Sequence, residues 1–371
     1  MKVALVLNSL YRGGAEGQLI SLAKSLHAAG VSTLVVLFYS GSPGEDELRR
    51  AGVSVHSLGK SSRWDSLGFF RRVVGLLKRE QPDIFYGFLP TPNILAAFMK
   101  PLFPRMRIVW GVRSSRIDLT PYGRFVRGAY ALQRLLAPAA DLIIANSFAG
   151  RDYLLELGYP RERTLVIANG FDTQRFSPDP EGRARVRDSW GFKDEHWVIG
   201  LVARADPVKG HELFLSAAAR AAALAPELRF VCVGLAKESQ AALRVEANRL
   251  GLAERLVMDG SRPDVVAVYS ALDVLCMCSF SEGFPNVVAE AMACGVPCVV
   301  SDVGDAARIV EHTGLVVPTG DVAALAQAFV ESLTRLCPRR FELASAARQR
   351  IVDGFEQSRI AADTIRHLEA L

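Results

Sequence analysis

Four charged residues in the second half of the chain have the types and spacing to act on a phosphorylated sugar. Glu282 and Glu290 stand eight residues apart, and Arg204 and Lys209 five. An ionised carboxylate accepts two hydrogen bonds in fixed geometry, which suits the paired hydroxyls of a ribose or a hexose. Arginine can fork two phosphate oxygens and lysine adds a point charge, so the two cations together can neutralise a diphosphate leaving group. A surface turn and an ordinary exposed helix start are the plainer readings of the same residues.

The elements that must position these side chains can be read from the pattern around them. Residues 273–278, DVLCMC, form an apolar run of the length of a buried parallel strand. The stretch 279–305, SFSEGFPNVVAEAMACGVPCVVSDVGD, starts at that strand's carboxyl end. Gly283 and Pro285 break the chain, Asn286 can cap a helix, and 287–294 reads as that helix, rich in small residues. Gly295 closes the helix, and 297–301 reads as the next strand, ending at Asp302 in a second glycine-containing loop. Two strand ends thus flank one helix N-terminus, where unpaired N–H groups and the helix dipole favour an anion. Glu282 lies before that helix and Glu290 one turn past Asn286. Upstream, the apolar run 197–203 ends in the loop that carries Arg204 and Lys209, ahead of an alanine-rich helix at 212–224.

The stretch 279–305 resembles the E-x7-E signature of retaining, nucleotide-sugar-dependent glycosyltransferases of the GT-B fold, the large family 4. The likeness includes both acids, the GFPN between them, the following AMACGVP and the SDVG loop. Arg204 and Lys209 match the family's G-R-x-x-x-x-K-G element, with alanine in place of the glycine before Arg204, and Asn169 to Asp172 match its N-G-x-D turn. The resemblance implies an α/β GT-B fold, two Rossmann-like doubly wound parallel-sheet domains facing across a cleft. It also implies roles: Arg204 and Lys209 on the departing diphosphate, Glu290 on the ribose hydroxyls and Glu282 on the sugar near its reacting centre. Gly283, Phe284, Pro285, Asn286 and Val287 would lie beside sugar and phosphate, Gly14 near the diphosphate, and Arg262 in the loop where relatives hold the base. Many relatives place a histidine at the strand end near residue 113, whereas this chain has none between His56 and His196. Arg113 and Ser114 are the acceptor-side candidates there.

Alternation of apolar strands with helices runs through the whole chain and implies parallel, doubly wound sheets. The first unit begins with a strand at 2–7, a glycine-rich loop at 8–17 and a helix at 18–29. That loop reads G-G-x-x-G, which is neither the dinucleotide fingerprint nor a Walker loop. A charged stretch at 179–187, containing Pro180 and Gly182, reads as the linker between domains. The expected division is therefore an acceptor-binding domain at 1–178 and a nucleotide-sugar-binding domain at 190–354. A last helix at 357–371 packs back on the first, as in such enzymes.

Half of the 371 residues are hydrophobic and 22% charged, the composition of a globular protein with sizeable cores. The charge is uneven: residues 1–175 hold 23 Lys and Arg against 13 Asp and Glu, the remainder 21 against 26. A basic first half points to an anionic membrane surface or polyanionic substrate, and solvated helix faces give the same count. Arg116, Arg124, Arg127 and Arg134 are interleaved with Tyr122, Phe125, Tyr130 and Leu132 at helical spacing. This reads either as a basic, partly apolar surface for lipid or a lipid-linked acceptor, or as a solvated helix with a core-facing aromatic stripe.

The six cysteines fall mostly in apolar strands and small-residue helices, as reduced thiols of a cytoplasmic protein do. No Cys-x2-Cys pair and no D-x-D triplet occurs, so the expectation is an enzyme without metal or cofactor, its nucleoside diphosphate sugar serving as co-substrate. The amino terminus reads as a first buried strand and not as a signal peptide, and no run of ~18 apolar residues is present.

The expected activity is that of a hexosyltransferase acting with retention on a glycan or lipid-linked acceptor, in surface polysaccharide or glycolipid assembly. The expected place is the cytoplasm, peripheral on the inner face of the membrane, with no role for nucleic acid. An epimerase of the same fold and a non-catalytic nucleotide-sugar-binding subunit are the alternatives.

Overall fold

The computed structural model describes residues 1–11, 13–60, 65–116 and 123–371. It divides into two compact units, Met1–Gly170 with Gln357–Leu371, and Phe171–Glu356.

The first unit runs β1 (Lys2–Leu7), α1 (Gly14–Ala28), β2 (Ser32–Leu37), α2 (Gly44–Arg50), β3 (Ser54–Ser57) and α3 (Ser66–Glu80). It continues with β4 (Ile84–Phe88), α4 (Pro90–Met99), β5 (Arg107–Val112), α5 (Arg124–Leu136), β6 (Leu142–Ala145), α6 (Phe148–Glu156) and β7 (Thr164–Val166). The second unit runs α7 (Pro180–Trp190), β8 (Trp197–Val202), α8 (His211–Leu224), β9 (Leu228–Val233), α9 (Lys237–Arg249), β10 (Leu256–Asp259) and α10 (Val265–Ala271). After these come β11 (Val274–Met277), α11 (Asn286–Ala293), β12 (Cys298–Ser301), α12 (Ala306–Val310), β13 (Leu315–Val317), α13 (Val322–Glu331) and α14 (Arg340–Phe355). The last helix, α15 (Gln357–Glu369), lies in the first unit against α1, where the Gln357 amide donates to Ser21 O at 2.9 Å and Ser25 Oγ at 2.6 Å.

Each unit holds one parallel sheet, ordered β3-β2-β1-β4-β5-β6-β7 and β10-β9-β8-β11-β12-β13. In both, the order reverses beside the first strand of the unit. That reversal is where doubly wound folds open a crevice at the carboxyl ends of the strands. Central strands are buried on both faces, which is why they read as unbroken apolar runs. Tyr86, Phe88 and Trp110 fill the first unit's cores. In the second, Phe214, Phe230 and Phe329 pack with ring centroids 5.7–6.0 Å apart.

Several elements differ from what the sequence suggests. α1 starts at Gly14, so the end of the glycine-rich loop, residues 14–17, is its first turn. The charged stretch at 179–187 is helix α7 and not a linker: Asp179 caps it through Gly182 N–H, and Pro180 sits at its first position. The division between units accordingly falls at Gly170 and Phe171, ahead of the expected 178, and residues 179–189 belong to the second unit. Asn286 is the first helical residue of α11, the cap position being Pro285. The short helix α12 has no signature in the sequence pattern. Five cysteines are buried and Cys337 is exposed. Among the described residues no helix is long and apolar enough to cross a membrane.

Candidate functional site

In the second unit the site is assembled by three loops at the carboxyl end of the sheet. The loop after β8 ends in Lys209 and Gly210, and the loop after β11 carries Ser279 to Pro285. Backbone stitching joins them: Phe280 N–H donates to Val208 O at 2.8 Å, and the Cys278 thiol to Gly210 O at 3.3 Å. Gly210 has φ +72°, and a Cβ there would stand 2.4 Å from Cys278 O, so only glycine lets the two strand ends approach this closely. The loop after β12 packs in the same way. Gly304 has φ +57°, a Cβ there would stand 2.4 Å from the Glu282 and Gly283 carbonyls, and Asp305 N–H donates to Gly283 O at 3.0 Å.

This packing brings Lys209 and Glu282 together across 73 positions of sequence. Lys209 Nζ meets Glu282 Oε1 at 2.6 Å, and the Ser279 hydroxyl donates to the same oxygen at 2.8 Å. The lysine and glutamate side chains are 28% and 14% exposed. Gly283, Phe284 and Pro285 are buried just before α11, with Phe284 packed on Phe171 and Phe355 at centroid distances of 5.8 and 5.3 Å. Asn286 and Val287 form the half-buried edge of the first turn. α11 thus presents its N-terminus beside a carboxylate already held by a lysine and a serine.

Glu290, one turn along α11, has a partner that sequence reasoning missed. The Tyr269 hydroxyl, on buried α10, donates to Glu290 Oε2 at 2.6 Å. Burial pushes the Glu290 carboxyl above its usual range, while the Tyr269 hydrogen bond and the charge of Arg175 work to hold it down. Tyr269 therefore orients the carboxylate and favours its ionised form.

The other predicted residues stand apart from this cluster. Arg204 projects with 75% of its side chain exposed, 3.5 Å from Asp206. The two cations of the loop are therefore in different surroundings, one closely paired and partly buried, the other loosely paired and solvated. Arg262 is forked onto Asp264 at 2.9 and 3.0 Å and meets Asp259 at 3.2 Å, and these bonds raise its guanidinium pKa further. Its charge is thereby occupied within its own loop.

In the first unit, Gly14 opens α1. Arg113, just past β5, donates to Asn169 Oδ1 at 3.1 Å and to the Tyr86 hydroxyl at 3.3 Å, and its guanidinium lies 4.4 Å from the centre of the Phe88 ring. Arg113 Nε is buried without a hydrogen-bond partner among the described residues, and burial lowers the guanidinium's pKa. Ser114 is next to it at the end of the strand. Tyr122 lies outside the described residues, so its place in the basic stretch is not specified.

Comparison with known proteins bears on the family and the fold. A family described as "Glycosyl transferases group 1" matches residues 196–335, and a "Glycosyl transferase 4-like domain" matches residues 13–170. EpsF of Bacillus subtilis (strain 168), assigned to the glycosyltransferases, is 26% identical over 317 residues, 81% of this chain and 79% of EpsF. The D-inositol 3-phosphate glycosyltransferase of Kribbella flavida is 34% identical over 53% of this chain and 49% of its own length. This chain therefore spans about half of the inositol enzyme. Among solved structures, Anabaena Alr3699/HepE in complex with UDP superposes with a TM-score of 0.87 at 26% identity, covering all of both chains. Sucrose-phosphate synthase of Thermosynechococcus elongatus, at 21% identity and a TM-score of 0.82 over 100% of this chain and 99% of its own, shows the same fold. Both sheets, the paired acids and the two matched domains lead to one assignment: the chain belongs to the group 1 glycosyltransferases of the GT-B fold.

Proposed function

We propose that the protein transfers a hexosyl group from a nucleoside diphosphate sugar to an acceptor hydroxyl with retention of the anomeric configuration. The observation that carries this is the Lys209–Glu282–Ser279 cluster beside the α11 N-terminus, with Glu290 held one turn away by Tyr269. A diphosphate suits the lysine and the helix N-terminus, the sugar suits Glu282, and the ribose suits Glu290. Arg204 can swing onto the phosphates because, among the described residues, its one ion pair is a 3.5 Å contact with Asp206. Lys209, Arg204 and the helix terminus supply the charge that stabilises the leaving group, so the reaction needs no metal. HepE is described with UDP and with UDP-glucose, which makes a uridine donor the first to try.

The acceptor is read as a glycan or lipid-linked intermediate received by the first unit, at Arg113 and Ser114. The basic excess of residues 1–175 supports work at the cytoplasmic face of an anionic membrane. The test is a thermal-shift titration with UDP, GDP, ADP, dTDP and CMP on the native protein and on Arg204→Ala. A shift for one diphosphate that weakens in the variant names the donor class. Absence of a shift with every nucleotide refutes the donor reading. Turnover of UDP-glucose that is unchanged by a chelator then supports the metal-free reaction.

A further inference from the structure

We infer that α5 of the first unit is the surface that docks on an anionic lipid bilayer. This deepens the membrane contact proposed above and rests on it. The helix is built inside out. Its only fully buried side chain is polar, Gln133, whereas Phe125 is 90% exposed, Leu135 75% and Leu132 37%. At 100° per residue, these three apolar side chains fall within roughly 80° of arc. Arg124, Arg127 and Arg134 occupy the adjoining arc of about the same width. The solvent-facing half of α5 is thus an apolar stripe bordered by arginines, and the sequence RFVRGAYALQRLL contains no acid. All three arginines are exposed, and none forms an ion pair among the described residues. Arg116, by contrast, is spent on Glu156. α4, which packs against α5, leaves Phe98 exposed, and Leu102 is exposed just beyond it.

Exposed apolar stripes of this kind are costly in water and are stabilised when buried at the level of lipid headgroups, while bordering arginines meet phosphate. A second copy of the chain would bring arginine against arginine across a two-fold contact, whereas an anionic bilayer complements both stripes at once. The length of the helix, 13 residues, suits lying in the interface plane and is too short to cross the bilayer.

The test is co-sedimentation of the full chain with vesicles of phosphatidylcholine alone and of phosphatidylcholine with about 30 mol% phosphatidylglycerol, an anionic surface. Binding is expected only to the anionic vesicles. Replacing the three arginines by glutamine should weaken it on the order of 100-fold, about 5-fold for each charge. Phe125→Ser with Leu132→Ser and Leu135→Ser should weaken it at least ~10-fold. Phe125→Trp should blue-shift its fluorescence on anionic vesicles. All these positions are exposed, so each variant should melt like the native protein and keep its thermal shift with UDP. That shift separates this inference from the donor reading: nucleotide binding without vesicle binding overturns the docking surface alone. Vesicle binding that survives both triple replacements overturns it as well, and so does a serine triple variant that changes the oligomeric state instead.

Discussion

Replacing Lys209 by methionine keeps an unbranched side chain one atom shorter and removes its charge, which makes it the sharpest probe of the site. The lysine lies 2.6 Å from Glu282 with both side chains less than one-third exposed. At that separation an effective dielectric constant of ~20 gives a gross attraction of about 6 kcal/mol. Desolvation of both charges offsets most of it, leaving a net of about 1.5–3 kcal/mol for a charge-assisted hydrogen bond. Lys209→Met and Glu282→Gln each delete this pair, so both should lose a comparable part of that stability in denaturant unfolding. Their nucleotide affinities should diverge. Without Lys209 a diphosphate loses its fixed cation, and UDP should bind about 10- to 100-fold more weakly, with turnover reduced ~100- to 1,000-fold. Glu282→Gln instead releases Lys209 to the phosphates, so UDP should bind as well as to the native protein or better, while sugar transfer falls at least ~100-fold. Isothermal titration with UDP and initial-rate measurement on both variants read these quantities. If Lys209→Met bound UDP as tightly as the native protein, the lysine would be only a strut for Glu282 and the assignment would fail.

Tyr269→Phe removes the donor that lowers the Glu290 pKa, so the carboxyl should protonate at higher pH. The acid limb of kcat/KM for donor should move towards neutrality, with donor affinity at high pH less affected, as a pH-rate profile would show. In stability the same group has the opposite sign to a paired acid. Its raised folded-state pKa means its contribution is complete below the unfolded value of a glutamate and is lost as pH rises through the folded one, and Tyr269→Phe should deepen that loss. Gly304→Ala forces a Cβ to within 2.4 Å of two carbonyls at φ +57°, and should cost more than the ~1 kcal/mol of an ordinary positive-φ replacement, while displacing Glu282 and lowering turnover. Asp273→Asn leaves the buried Arg187 and its neighbour Arg183 without their carboxylate. An unfolding titration should show a loss of about 3–5 kcal/mol, with UDP affinity retained by the folded fraction.

The strands and the acid pair were legible because both are written locally. An unbroken apolar run between turn residues is a buried parallel strand whatever lies elsewhere, and Glu282 and Glu290 are separated by less than one short helix. The site's supporting contacts were not legible, for they join distant positions. Nothing around Tyr269 marks it as the partner of Glu290, since a tyrosine on a small-residue helix reads as core. Likewise Lys209 reads as the second cation of a loop, and only the glycine at 210, which allows the approach to Cys278, brings it to Glu282. That glycine, together with Gly304, was the available signal: a glycine directly after a strand-end loop marks where two backbones touch.

The stretch at 179–187 is misread, and that at 124–136 stays open between two readings, through one assumption, that charge belongs outside and apolar mass inside. α7 carries the sequence marks of a helix start, an aspartate followed by proline, yet its charge density suggests a solvated linker. Arg187 is buried because Asp273, 86 residues away, supplies its counter-charge, with Arg183 on the same carboxylate at 2.8 Å and Val198 N–H on its other oxygen at 2.8 Å. The carboxylate thereby ties α7 to the amino-terminal ends of β8 and β11, at the opposite end of the sheet from the loops that carry Lys209 and Glu282. The apparent linker is thus a brace for the sheet. In α5 the inversion runs the other way, with Gln133 inside and Phe125 outside, and no partner among the described residues of the first unit covers the apolar stripe. A buried charge with a distant partner and an exposed apolar stripe with none look alike to composition. They differ in consequence: the first is satisfied within the fold and stabilises it, whereas the second is satisfied only by a surface beyond it.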